Sequence, residues 1–477
     1  MDNLKSANFH LYTTNGKKYI LDYMNIYYTE ITDEQYRDFQ SIESKGFLGY
    51  IKNDRDESHN HNKRIISQLY EKEIFFSTRV IDTSQNHYEA FISMAPIHAC
   101  NLQCRYCFAQ QGNNYISEEK TMTKENLLKA LEYIYFDYFK DISAFRFDFV
   151  SGGEPLLNFE TIKSIVEVCE TFVKRGKTTK FWLCTNGIIN KKEIFHFLDK
   201  HRFNIGISLD GTKKDNDNYR VFKDGASSYN QVINTLKDIL TESTYTRNFK
   251  NVWILVVITS ETQSLVTILK HLKQNGLKRV QMRIVRTVET YGLNESTFFK
   301  YKALYDELFA FFIEQFKMDN IDYIEMLSND NDYLGKILRR IILRRIVTHR
   351  CQAGKNKVSL TANGQLFPCD SFVGKNDFCI GNVLKSERYD SVLENTFVDN
   401  IVACSGCWAR YICGGDCYHN SYLMKNDVKD IDCIFCKLQK YLIEETVAMY
   451  CQMNEINVSL FGRLTRMVEI GIREGIR

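Results

Sequence analysis

The spacing of apolar positions divides the chain into stretches of different character. Near the N-terminus, Phe9-His10-Leu11-Tyr12-Thr13-Thr14 and Lys17-Lys18-Tyr19-Ile20-Leu21 are β-prone runs flanking Asn15-Gly16. Both turn residues tolerate positive φ, so the pattern predicts a hairpin. A helix is predicted from about Thr32, with Asp33 and Glu34 suited to the positive end of its dipole. The polar run from Asn53 to Lys63 reads as an exposed loop, and His59 and His61 within it as solvated rather than metal-binding.

From about residue 89 to 320, short apolar strands alternate with longer helical patterns. The strands are predicted at Phe91 to Met94, Ala144 to Val150, Lys180 to Cys184, Asn204 to Ser208, Val252 to Ile258 and Arg279 to Val285. Helical stretches such as Lys124 to Lys140 and Asn158 to Lys174 lie between them. Alternation of this kind implies parallel strands with helical crossovers, an α/β sheet or barrel whose chemistry sits at the C-terminal strand ends. Residues 351–440 lack apolar periodicity and are dense in Cys and Gly, so they are expected to fold around metal rather than an apolar core. A helix from about Leu438 to Met453 follows. The expected organisation is an N-terminal module over 1–88, the α/β unit over 89–320, a helical bridge over 321–350, the cysteine-rich region over 351–440 and a C-terminal helix and tail over 441–477.

Composition adds constraints. A chain of 477 residues with 44% hydrophobic and 25% charged residues is ordinary for a globular protein. A net charge of +3 does not point to a nucleic-acid or membrane partner. No apolar run is long enough to span a membrane and the N-terminus lacks the apolar core of a secretory signal, so a cytoplasmic location is expected. In a reducing compartment the 15 cysteines would not persist as disulfides, and close clusters of them indicate metal or redox work. Cys169 and Cys184, isolated in apolar runs, read as small buried hydrophobes.

The sharpest pattern is Cys100-Asn101-Leu102-Gln103-Cys104-Arg105-Tyr106-Cys107, directly after a predicted strand. Three thiolates at spacings of four and three residues can cover one face of a cubane and leave the fourth iron without a protein ligand, open to an amine and a carboxylate. A structural zinc site requires four closed ligands; no fourth cysteine is adjacent, and His98 stands awkwardly close to the trio.

This C-x3-C-x2-C segment resembles the radical S-adenosylmethionine (SAM) superfamily, and later segments agree with it in order. Ser151-Gly152-Gly153-Glu154-Pro155 is similar to that family's glycine-rich segment, which contacts the methionine amino group; glycines permit close backbone approach and a carboxylate favours an ammonium. Thr185-Asn186-Gly187 and Ile207-Ser208-Leu209-Asp210-Gly211 are similar to segments that hold the ribose and carboxylate, so Asn186 and Ser208 are candidates for cofactor binding. Arg220 matches the arginine that pairs with the carboxylate, and Tyr106 the aromatic position against the adenine. The resemblance implies a partial (β/α)6 barrel, one [4Fe–4S] cluster on Cys100, Cys104 and Cys107, and a 5′-deoxyadenosyl radical that abstracts a substrate hydrogen atom.

The C-terminal cysteines resemble the SPASM extension of such enzymes, which binds two auxiliary iron–sulfur clusters. Cys351 is followed by Gly364 and Cys369, then Cys404, Cys407, Cys413 and Cys417 in a C-x2-C-x5-C-x3-C array, then Cys433 and Cys436. The resemblance implies one cluster on Cys351, Cys369 and Cys417, and another on Cys404, Cys407, Cys413 and a late cysteine, for which Cys436 fits better than Cys433. No further cysteine lies between Cys351 and Cys369, so the first auxiliary cluster has an open iron or recruits Cys379 or Cys433. Asp370, in Pro368-Cys369-Asp370, is similar to the aspartate that acts as a base in sulfatase-maturing enzymes; the alternative is a local cap.

Peptide-modifying relatives of this type carry an N-terminal winged-helix-like module that captures a leader peptide at an exposed strand edge, and residues 1–88 resemble it in pattern. The resemblance implies a precursor-peptide partner, a flavodoxin- or ferredoxin-type electron donor, and an oxidative cross-link, with a cysteine thioether as the leading product. The alternatives are a sulfatase-maturing enzyme that makes formylglycine from Cys or Ser, and a non-catalytic zinc-binding adaptor.

Overall fold

Phe145, Phe147 and Phe149 alternate with Ala144, Arg146 and Asp148 along one strand, and all three phenylalanines are fully buried. That strand is second of six parallel strands laid side by side in chain order: Glu89–Met94, Ala144–Phe149, Thr178–Thr185, Asn204–Ser208, Trp253–Ile258 and Arg279–Ile284. Each pairs in parallel with the next. All six predicted strands are present. The computed structural model describes residues 5–52, 59–77, 89–115, 119–150, 152–329 and 333–473. Helices Lys124–Glu132, Phe159–Phe172, Lys192–Lys200, Tyr229–Thr241 and Leu265–Gln274 make the crossovers that parallel pairing requires. Their apolar faces, such as Ile162, Ile165, Val166, Cys169 and Phe172 on one helix, pack on the phenylalanine face of the sheet. The architecture is α/β, an open and partial barrel of six β/α units.

The helix predicted over Lys124 to Lys140 is α-helical only to Glu132 and continues as a π-helical turn over Tyr133–Tyr138. The wider turn brings Ile134 and Tyr135 into the core, where Tyr135 stacks on Phe145 with ring centroids 3.9 Å apart.

The cysteine-rich region is sewn into the same sheet. Lys357–Leu360 pairs in parallel with Glu89–Met94, and three short antiparallel strands, Gln365–Phe367, Gly381–Asn382 and Glu387–Arg388, extend the edge. The region also buries an apolar cluster of its own, in which Phe367, Phe372, Phe378 and Tyr418 pack with Tyr115. The expectation that it lacks an apolar core is therefore corrected: its aromatic residues sit at irregular spacings that no periodicity reveals. The helix that follows is longer than predicted, Cys433–Ile456.

At the N-terminus the predicted hairpin is present as Phe9–Thr14 and Lys17–Asp22, with positive φ at Asn15 and Gly16, and Tyr27–Ile31 completes an antiparallel sheet. Thr32 caps the helix Asp33–Ile51 in a capping box with Gln35. The loop read over residues 53–63 is corrected in its second half, since a helix, His59–Glu71, begins there; residues 53–58 lie outside the described residues. The polar run is held inward by Asn62, whose buried amide donates to the Asp38 carboxylate at 3.0 Å. Alternate residues of the first strand face the helix Cys433–Ile456: a His10 ring nitrogen lies 2.7 Å from the Glu444 carboxylate, and Tyr12 donates to the Glu444 carbonyl at 3.1 Å. The His10 ring also stacks on Trp408, centroids 3.8 Å apart. Among the described residues no helix is long and apolar enough to cross a membrane.

Candidate active site

Cys100, Cys104 and Cys107 follow the first barrel strand and line one cavity of about 440 Å³ at the C-terminal strand ends. The loop that carries them is bonded through its backbone, Gln103 N–H to Val221 and Arg105 N–H to Tyr219, so it is held against the segment bearing Arg220. Burial pushes the Cys104 thiol up to about 11, Arg220 opposes that, and the Cys107 and Cys100 sulfurs add to it. Backbone N–H groups of Leu102 and Gln111 point at the Cys100 and Cys107 sulfurs, 3.5 and 3.4 Å away, and the Asn186 amide at Cys100, 3.7 Å away. Such donors suit sulfurs that carry negative charge.

The glycine-rich segment packs directly on this loop. Glu154 N–H donates to the Ala99 carbonyl at 2.8 Å. A Cβ on Gly153 would meet the Ala99 carbonyl oxygen, and one on Gly152 would lie 2.7 Å from the His98 ring. The approach tolerates no side chain at either position. Gly153→Ala is therefore expected to push the cysteine loop out of place and, after reconstitution, to cost the iron of the one cluster held there, about a third of the total if three clusters fill, measured by iron analysis against the wild type. Ser151 lies outside the described residues.

Glu154 is buried, and its carboxylate accepts from Thr185 Oγ1 at 2.7 Å, Asn186 N–H at 2.7 Å and Leu156 N–H at 3.2 Å. It clamps the second strand's loop to the third strand's loop, which in turn sets Asn186 against Asn101 at 2.7 Å. Opposite stand Tyr106, Asp210 and Arg220. Tyr106 donates to Asp210 at 2.5 Å and accepts from Arg220 Nη1 at 3.1 Å, while Val257 N–H fixes the other Asp210 oxygen at 3.0 Å. Burial raises the Asp210 carboxyl to about 6 against the pull of Arg220. Ser208 also lines the cavity.

These residues fit a bound SAM. Buried Arg220 lines the cavity and has an Nε with no partner among the described residues, and a guanidinium with a donor to spare is suited to a carboxylate. The side-chain-free surface of Gly152 and Gly153 admits a ligand close to backbone, and the cysteine trio supplies three sulfurs at the same wall.

Asp370 lines the same cavity, and Lys357 donates to its carboxylate at 2.8 Å. Sequence reasoning missed several neighbours: Arg146, Asp148, Trp182, Cys184, Arg283, Arg286 and Lys357 also line it. Their alternation was legible. Arg146 and Asp148, Trp182 and Cys184, and Gln281 and Arg283 are each two apart on a strand, and both faces of a helix-covered parallel sheet are enclosed, so polar residues on the second face mark a cavity. Cys184 is thus corrected from an inert core residue to a cavity-lining thiol that accepts from Trp182 Nε1 at 2.9 Å, whereas Cys169 is buried as expected.

The C-terminal cysteines fall into two groups. Burial raises Cys369 to about 12, and Cys417 and Cys351 add their charge to it. Burial likewise raises Cys436 to about 12, with Cys413, Cys404 and Cys407 adding theirs. Cys404, Cys407, Cys413, Cys433 and Cys436 line a second cavity of about 160 Å³. Cys379 instead donates to the Gly381 carbonyl at 3.4 Å. Among the described residues no three His, Cys, Asp or Glu side chains form a group able to hold one metal ion; a single-ion site draws sulfurs to about 2.3 Å from one centre, whereas a cubane spreads them over several irons.

Residues 94–272 match the model of the Radical SAM superfamily. The chain is similar to the cysteine-type anaerobic sulfatase-maturating enzyme of Clostridium novyi (strain NT), 25% identical over 372 residues that cover 73% of this chain and 92% of the relative. It is also similar to the radical SAM cyclopropyl synthase TigE of Paramaledivibacter caminithermalis, 23% identical over 434 residues covering 84% and 80%. The solved structure of native anSMEcpe with bound AdoMet shares the fold, with a TM-score of 0.60 at 21% identity, over 77% of this chain and 100% of that one. The cysteine trio lies within residues 94–272, the cavity it opens onto is completed by Lys357 and Asp370 of the cysteine-rich region, and the chain carries the Radical SAM domain of a radical SAM enzyme.

Proposed function

We propose that the chain is a peptide maturase that removes a hydrogen atom from a ribosomally made precursor peptide and installs an oxidative cross-link, a cysteine thioether as the leading product. The observation that carries this is the single cavity joining the cysteine trio to Asp370, the residue next to Cys369. Cys100, Cys104 and Cys107 would hold the cluster that reduces a bound SAM, and that pair would supply the radical hydrogen-abstraction chemistry. Arg220 holds the cofactor carboxylate, Gly152, Gly153 and Glu154 its amino end, and Asn186, Ser208 and Tyr106 its nucleoside. Asp370 takes the proton from the reacting substrate group, with Lys357 holding its carboxylate toward the cavity.

Cys351, Cys369 and Cys417 would hold one auxiliary cluster and Cys404, Cys407, Cys413 and Cys436 a second, groups that would supply an acceptor for the second electron of the oxidation. Supporting them, the buried guanidiniums of Arg340 and Arg350 both reach the Cys413 carbonyl, at 3.0 and 3.2 Å. Burial, with Arg350 close by, pushes Arg340 down to about 9, and an anionic cluster beside the pair offsets that repulsion. The N-terminal sheet receives the leader peptide, and its contact through His10 and Trp408 sets it against the cysteine-rich region.

The formylglycine reading is favoured by Asp370 and by the similarity to the Clostridium novyi enzyme. The residues of this chain beyond the anSMEcpe fold favour the peptide-maturase reading. Mass spectrometry of a co-expressed precursor separates them. A cross-link removes two hydrogens and keeps sulfur; conversion of Cys to formylglycine loses sulfur and gains oxygen, and that product would overturn the proposal.

A further inference from the structure

The charges lining the main cavity are unevenly matched. Arg146 is paired with Asp148 at 2.6 Å, Lys357 with Asp370 at 2.8 Å, and Glu154 is saturated by three donors. The side chains of Arg283 and Arg286 have no ion pair or hydrogen bond among the described residues, and both residues line the cavity. They lie at the C-terminal end of the last parallel strand, Arg279–Ile284, where Gln281 and Arg283 point to the cavity and Val280, Met282 and Ile284 to the core. The carboxylate they both sense is that of Asp370, already held by Lys357. Arg283 is exposed to the space of the cavity and Arg286 partly so, and two like charges on one cavity wall favour an anion placed between them. Arg286 also faces Cys417 and Cys369, so part of its charge is answered by those sulfurs. Arg283 is the cation left over.

We propose that Arg283, backed by Arg286, anchors a carboxylate of the peptide substrate and so selects substrates with an acidic group near the reacting residue. This deepens the peptide-maturase reading and rests on it. A planar guanidinium matches a carboxylate with two parallel N–H···O bonds, which fixes orientation as well as affinity. Anchored there, the peptide places its reacting residue between the cysteine trio and Asp370. The carboxylate is either an Asp or Glu side chain or the peptide's C-terminal group.

The test uses anaerobically reconstituted full-length enzyme with SAM and short fluorescent peptides with a central cysteine, followed by anisotropy. The peptides differ in one neighbouring residue, Asp, Asn or Lys, and each is made as free acid and as C-terminal amide. The expected result is about tenfold tighter binding of the carboxylate-bearing peptides. Preference for Asp in the amide series identifies a side chain, and preference for the free acid identifies the C-terminus. In R283Q the preference disappears, in R283K it is retained in part, and in R283E it reverses toward the Lys peptide; a ratio within one variant is insensitive to partial loss of folded protein. Equal binding of Asp, Asn and Lys peptides in both forms, or an unaltered preference in R283Q with none reversed in R283E, overturns the anchor and leaves the peptide reading intact. No binding of any peptide overturns both.

Discussion

Replacing Cys100, Cys104 and Cys107 together by alanine is expected to abolish release of 5′-deoxyadenosine from SAM, down to the level of an enzyme-free control. The trio lines the wall of the cavity next to Arg220, Gly152 and Gly153, and no other cysteines there can substitute: Cys184 lies on the same cavity but hydrogen-bonds Trp182 and stands on a different strand. Cysteine to alanine removes the sulfur while the loop stays tied by the Gln103, Arg105 and Glu154 backbone bonds, so the fold itself is retained. The C-terminal cysteines remain, so reconstituted triple variant keeps part of its iron. Chromatographic detection of 5′-deoxyadenosine after anaerobic reduction reads the outcome. Continued release would overturn the cofactor assignment at its root.

Asp370→Asn is the second large effect expected. The substitution keeps shape and removes the proton-accepting charge; loss of a general base costs about 10²–10⁴ in rate. Product formed per 5′-deoxyadenosine released is therefore expected to fall by about a hundredfold or more, because hydrogen abstraction is spent without completion of the cross-link. In this variant Lys357 keeps a neutral acceptor in place of its 2.8 Å carboxylate partner, and Asp148 is the remaining carboxylate whose charge reaches it. A stability loss of about 1–3 kcal/mol in chemical denaturation is expected from the weakened pairing. A capping role for Asp370 would show that stability loss with the product-to-deoxyadenosine ratio unchanged.

The six strands of the parallel sheet were readable because their apolar runs are short, contiguous and separated by helices of period 3.6, and because burial on both faces leaves a strong imprint. The hairpin at Asn15-Gly16 was readable for a different reason: its two turn residues accept left-handed backbone, φ 50° and 74°. The cysteine spacings announced their chemistry through covalent requirement, since sulfur ligands leave a mark that no packing substitution mimics.

Other features depended on distance in space. That Lys357–Leu360 would pair with Glu89–Met94, some 260 residues away, is a matter of register between two edges, and neither strand carries it locally. That pairing sets Asp370 on the cavity of the cysteine trio and gives it Lys357 as partner. The surplus charge of Arg283 likewise emerges only once the acids among the described residues around the cavity have been assigned, because a guanidinium on a strand looks the same in sequence whether it meets water, a carboxylate or a cavity. Sequence alone determined the elements and the sulfur chemistry, which follow from local periodicity and ligand type. Tertiary structure alone decided which charges share one cavity, because electrostatic pairing falls off over a few ångströms and chain order does not encode that proximity.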